Sequence, residues 1–180
     1  VAFQARDFAT ALKELKPYFK KKRQPVKASL MMARMYLDGL GVPVNYSRAY
    51  QYLQRPAKSG NAWAATELGK LYLTGSGVMQ SFDDARGWFE KAARHGYAPA
   101  QVELGHIHRK GLSLALNKIT AYAWYNLAAA SLAGEDRDAV MGYRDALGGS
   151  MTPQEIDIAQ ARSLDWSERI EVVEPEVFSL

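Results

Sequence analysis

The chain has 180 residues and 20.0 kDa, 48% hydrophobic and 23% charged, which suits one globular domain and is too apolar for a disordered chain. No stretch approaches the roughly 18–20 apolar residues of a membrane-spanning helix, and the lack of cysteine excludes disulfides, thiolate nucleophiles and cysteine-ligated zinc. Net charge is +4, unevenly placed: residues 1–90 carry 14 Lys/Arg against 7 Asp/Glu, residues 91–180 carry 9 against 12.

The sequence opens at Val1 without an initiator methionine, so an upstream segment is expected to have been removed or omitted. Arg6–Leu12 through Pro17 reads as one helix of a truncated unit, making residues 1–26 an N-terminal cap. The run Lys20-Lys21-Lys22-Arg23, with Lys13, Lys16 and Lys27 nearby, supplies much of the basic excess. Such a run can mark a nucleic-acid or anionic-membrane footprint. More often it is a solvated helix end, where cations suit the negative pole of the helix dipole. Nucleic acid is therefore not the expected partner.

From Lys27 onward the chain repeats itself every 36 residues. Ala28, Ala64 and Ala100 share one column; Ala33, Gly69 and Gly105 another; Gly39, Gly75 and Gly111 a third. Ala49, Ala85 and Ala121 align, as do Tyr52, Trp88 and Trp124. Each unit reads as two helices. Ala64, Leu68 and Tyr72 form one apolar stripe; Ala85, Trp88, Phe89, Ala92 and Ala93 form an amphipathic face. Asn45, Ser81 and Asn117 precede the second helices as N-caps. Gly39-x-Gly41-Val42 and Gly75-x-Gly77-Val78 read as turns between helices. The small column Ala33/Gly69/Gly105 predicts close passage of another helix, because glycine inside a helix costs about 1 kcal/mol relative to alanine. Repeat 1 spans 27–60, repeat 2 spans 61–96 and repeat 3 spans 97–134.

A capping helix pair is expected over 135–169. Ala139, Tyr143 and Leu147 mark its first helix, closed by Gly148-Gly149. Thr152-Pro153-Gln154-Glu155 is a capping box with proline at the first helical position. Residues 170–180 lack a helical period, contain Pro175 and are expected to form an extended tail. Val172, Val173, Val177, Phe178 and Leu180 are too apolar for a free tail, which predicts docking on an apolar surface or self-association through 170–180.

Catalytic constellations are missing from the sequence. His106 and His108 stand two apart on one helix and point to different faces. Glu103 and His106 form one Glu-x-x-His pair, whereas a di-iron bundle needs two and further glutamates. Gly75-Ser76-Gly77 lacks the nucleophile-elbow spacing, and the glycine turns lack the Gly-Lys-Ser/Thr end of a phosphate loop. No metal, no cofactor and no enzyme activity is expected.

With these residues laid out, the chain resembles the Sel-one-like repeat (SLR) family, a branch of the tetratricopeptide-like solenoids. The resemblance rests on A-x-x-x-L-G-x-x-Y-x-x-G-x-G-V at Ala64–Val78 and A-x-x-W-F-x-x-A-A-x-x-G at Ala85–Gly96, and it covers Lys27–Gly134. Unit 1 departs at Met32, Ala33 and Pro56; unit 3 departs at His108 and Ser113, which puts its turn geometry in question. The resemblance implies an all-α fold, a right-handed α/α superhelix of stacked helical hairpins with helical caps. It implies a non-enzymatic scaffold or adaptor holding a peptide or protein on its concave face, in bacterial envelope or signalling assembly. The alternative is a weak hydrolase of the β-lactamase-like SLR type, a branch that resembles cysteine-rich chains unlike this one. By resemblance the compartment is the periplasm or envelope, with the cytoplasm as the other choice.

In such solenoids the first helix of each pair lines the inside. The resemblance thus assigns the partner face to the columns Met31/Glu67/Glu103, Arg34/Lys70/His106 and Asp38/Thr74/Lys110. Arg34, Glu67, Lys70, Glu103, His106 and Lys110 are the candidate binding residues, and the column of Arg34, Lys70 and His106 would suit a carboxylate-bearing peptide.

Overall fold

Asn45 and Asn117 do at helix starts what their side chains predict: their amide oxygens accept from the backbone N–H of Arg48 and Thr120, both at 2.9 Å. Asn61 repeats the device on Ala64 at 2.9 Å. These caps set the phase of the chain in a computed structural model that describes residues 7–20 and 25–170. Among the described residues every regular element is a helix, and there is no strand. They form α1 (Phe8–Leu15), a 3₁₀ turn (Lys16–Lys20), α2 (Val26–Asp38), α3 (Tyr46–Lys58), α4 (Ala62–Thr74), α5 (Phe82–Arg94), α6 (Ala98–Lys110), α7 (Lys118–Ser131), α8 (Gly134–Gly148) and α9 (Pro153–Glu168). The chain is all-α, as its 36-residue pattern predicts.

The described residues divide into two compact units at the Ser81–Phe82 junction. In the first, α3 packs against both α2 and α4, and α1 lies on α2. Its core gathers Ala11, Leu15, Ala28, Met32, Met35, Tyr36 and Ala49, with Val42 folding back from the α2–α3 turn. In the second, α7 is the hub, packed on α6, α8 and α9. Ala121, Ala123, Tyr125 and Ala128 of α7 lie in a core with Val140, Leu147 and Ala159.

Pro56 sits inside α3 without ending it, and the chain turns over at Ser59 and Gly60. The capping box of α9 forms in full. Thr152 Oγ1 accepts from the Glu155 N–H at 3.3 Å, and Glu155 Oε2 accepts from the Thr152 N–H at 2.7 Å. The stripe expected along α8 is met at Leu147 and not at Ala139 or Tyr143. Val140 and Leu147 are buried while Ala139 is exposed, and Tyr143, also exposed, makes ring contacts with His106 and Tyr125.

The inter-helix turns solve one packing problem twice with glycine and once without it. Gly77 has φ +74°, and a Cβ there would lie 2.5 Å from backbone atoms of Tyr46 and Ser47 at the start of α3. Gly41 has the same conformation against Phe8. In unit 3 the equivalent residue is Ser113, which adopts φ +68° despite its side chain. A non-glycine residue in this region is strained by about 1–2 kcal/mol. Two groups from the first turns of α5 hold it there: Ser113 Oγ donates to Asp83 and accepts from Arg86 Nε at 3.0 Å. The left-handed turn conformation is preserved at Ser113, with hydrogen bonds to the first turns of α5.

Candidate functional site

The repeat period places Arg34 and Lys70 at the same register position of α2 and α4. Each is engaged by an acid one turn away on its own helix. Arg34 Nε lies 3.5 Å from Asp38 Oδ2, with both side chains about half exposed. Lys70 Nζ donates to Glu67 Oε1 at 2.8 Å, and Glu67 is the more covered partner. An exposed pair of this kind contributes at most about 1 kcal/mol to stability. Its larger effect is to hold charges of both signs in fixed positions on the helix surface.

On α6 the corresponding residues behave differently. Lys110 is exposed, Glu103 is half-buried and His106 is half-buried against α7 and α8. His106 Nδ1 shares a 2.8 Å hydrogen bond with the hydroxyl of Tyr125, whose side chain is fully buried. Tyr143 of α8 presents its ring 5.0 Å from the imidazole. Burial, followed by the nearby cations Arg109 and Lys110, pushes the His106 pKa down. His106 therefore stands in this column as a neutral hydrogen-bonding group at pH 7, whereas Arg34 and Lys70 are engaged in ion pairs. His108 is also half-buried, and burial is the first cause of its lowered pKa, with Glu90, Arg86 and Arg162 contributing charge.

These shifts fix the sign of a pH effect. Near pH 6 the folded chain binds fewer protons at His106 and His108 than the unfolded chain does. Their contribution is complete above the ordinary histidine value of about 6.5 and falls away as pH drops through it toward the lower folded values. The melting temperature at pH 5.5 is expected to lie below that at pH 7.5, and His106→Gln should narrow the gap. An equally wide gap in the variant would contradict the assignment.

Two hollows accompany these surfaces. One, of about 190 Å³, lies between Arg109 and the Tyr143–Leu147 side of α8. The other, of about 330 Å³, lies in the first unit among α1, the 3₁₀ turn, α2 and α3. Its floor is aromatic: Tyr36 and Tyr52 stack in parallel at 5.8 Å, and Phe19 meets Tyr52 edge-on at 4.9 Å. Arg48 Nη1 donates to the Tyr36 hydroxyl at 2.7 Å, with its guanidinium carbon 5.4 Å from the ring centre. Burial pushes the Tyr52 phenol up. Sequence reasoning missed both this cluster and the Tyr125–His106 bond. The signal was there at Tyr125, a tyrosine in the column of Leu53 and Phe89, since a buried phenol needs a hydrogen-bond partner.

Among the described residues, no group of three or more histidines, aspartates and glutamates is placed to hold a metal ion. No helix among them is long and apolar enough to cross a membrane. The basic run at Lys20–Arg23 lies almost wholly outside the described residues, and the tail at 171–180 lies entirely outside them.

Comparison with known proteins adds the following. The Sel1 repeat family pattern matches residues 26–61, 64–97 and 98–131. Among solved structures, the chain is similar to a protective antigen present in uropathogenic Escherichia coli strains that displays an SLR fold. The TM-score is 0.72 and the identity 26%, over 81% of this chain and 30% of that one. It is also similar to a Sel1 repeat protein from Oxalobacter formigenes, with a TM-score of 0.65 and 22% identity over 93% of this chain and 81% of that one. At that identity the second likeness concerns the fold alone. The chain spans about 30% of the length of the E. coli antigen. No curated protein matches it significantly.

Proposed function

Since the chain belongs to the Sel1 repeat family, whose members generally mediate protein–protein interaction, we propose that it is a non-enzymatic interaction module holding a peptide or protein partner on a concave face lined by the exposed residues of its first repeat helices. The observation that supports this most is the paired charge on α2 and α4. Arg34 and Lys70 share one register position and are each about half exposed, with Asp38 one turn after Arg34 and Glu67 one turn before Lys70. A carboxylate on a partner can exchange with Asp38 or Glu67 for the same cation, so recognition needs little rearrangement. Glu103, His106 and Lys110 occupy the matching positions on α6, where neutral His106 offers a ring and a hydrogen bond rather than charge.

Scaffolding in a bacterial envelope assembly is part of the same proposal, supported by the likeness to a bacterial antigen of SLR fold. The test is double charge reversal, Arg34→Glu with Lys70→Glu, against a partner recovered with the unmodified chain. Capture is expected to fall at least about tenfold. The melting temperature should move by only a few degrees, since exposed pairs contribute so little. Undiminished capture would sink the proposal.

A further inference from the structure

The aromatic hollow of the first unit is built for one kind of occupant. Its floor of Tyr36, Tyr52 and Phe19 accepts an apolar side chain, and aromatic edges and faces favour another ring. Its lining includes Lys16 and Arg48, both exposed, and among the described residues that line it there is no carboxylate. At about 330 Å³ it has room for one or two side chains and lies at the small end of ligand pockets, which run from about 300 Å³. An acidic, extended segment with a large apolar residue fits this chemistry.

Residues 171–180 read Glu-Val-Val-Glu-Pro-Glu-Val-Phe-Ser-Leu, with three carboxylates, no cation and five large apolar residues. Pro175 fixes its own φ and biases Glu174 toward extended backbone, so the sequence opposes a helix there. Ten extended residues reach about 33–36 Å. The basic excess of the chain also lies in its first half.

We propose that the hollow among α1, α2 and α3 is the seat of residues 171–180, with the Phe178 ring on the Tyr36–Tyr52 floor and the Glu174 and Glu176 carboxylates toward Lys16 and Arg48. The tail then occupies a site separate from the α2 and α4 residues proposed for the partner. Tethering supplies the segment at an effective concentration near the millimolar range, which favours weak, few-residue contacts of this kind.

A full-length chain carrying p-benzoylphenylalanine at position 178 tests the proposal directly. Irradiation should join position 178 to peptides from 8–20 or 26–58, with Met32 a favoured acceptor. Lys16→Glu, an exposed change, should lower the yield about three- to fivefold, with the helical spectrum unchanged. Arg48→Ala should do the same, as a second variant of the rim. An adduct on the monomer band places the donor in the same chain and supports the proposal; adducts confined to a dimer band place it in a neighbouring copy and overturn it. No adduct, adducts confined to α5–α9, or a yield indifferent to both rim variants would overturn it.

Discussion

Gly105→Ala is expected to destabilise the chain by about 2–3 kcal/mol, although alanine is the better helix former by about 1 kcal/mol. The cause is Tyr125. A Cβ on residue 105 would stand 2.6 Å from Tyr125 Cδ1 and closer still to Cε1. The ring cannot yield, because the side chain is fully buried and its hydroxyl is bonded to His106 at 2.8 Å. Overpacking a close-packed core ordinarily costs about 1–3 kcal/mol. Gly142→Ala in α8 is the control: nothing lies within 4 Å of its added Cβ, so the helix propensity acts alone. That variant should gain up to about 1 kcal/mol. Urea unfolding of the pair distinguishes the two mechanisms by sign. Equal effects at both glycines would show that Tyr125 does not press on residue 105.

Gly77→Ala is expected to cost about 2–4 kcal/mol, the sum of a left-handed alanine and a collision with backbone. Its φ is +74°, and the atoms a Cβ would meet are the Ser47 nitrogen and the Tyr46 carbonyl carbon, neither of which has a rotamer to change. Gly60→Ala shares the left-handed conformation, at φ +91°, but meets nothing within 4 Å. It should cost only the backbone strain, about 1 kcal/mol. A Gly77→Ala variant no worse than Gly60→Ala would remove the close approach of turn and helix from the account.

The period of 36 made the helices and their caps legible because each column repeats a local requirement: an amide-capping asparagine, a small residue, an apolar stripe. What it could not convey is how a departure from the column is compensated. Ser113 breaks the glycine pattern, and its remedy lies about 30 residues upstream in Asp83 and Arg86, at positions that read only as a favourable first helical turn. The same holds for the candidate site. Sequence placed Arg34, Lys70 and His106 in one column, but charge depends on surroundings. Burial against Tyr125 and Tyr143 turns His106 into a neutral group. Along α8 the pattern found Leu147 but not Val140, which is buried in place of Ala139.

The central claim is that the exposed, concave-side residues of the first repeat helices carry the partner. Photo-crosslinking in the cell of origin tests it most directly, with the reactive residue at exposed Thr74 on α4 or at exposed Gln51 on α3. The account predicts a discrete covalent adduct from position 74 that Arg34→Glu with Lys70→Glu removes, and none from position 51. No adduct at 74, or the same adducts at both positions, would contradict it.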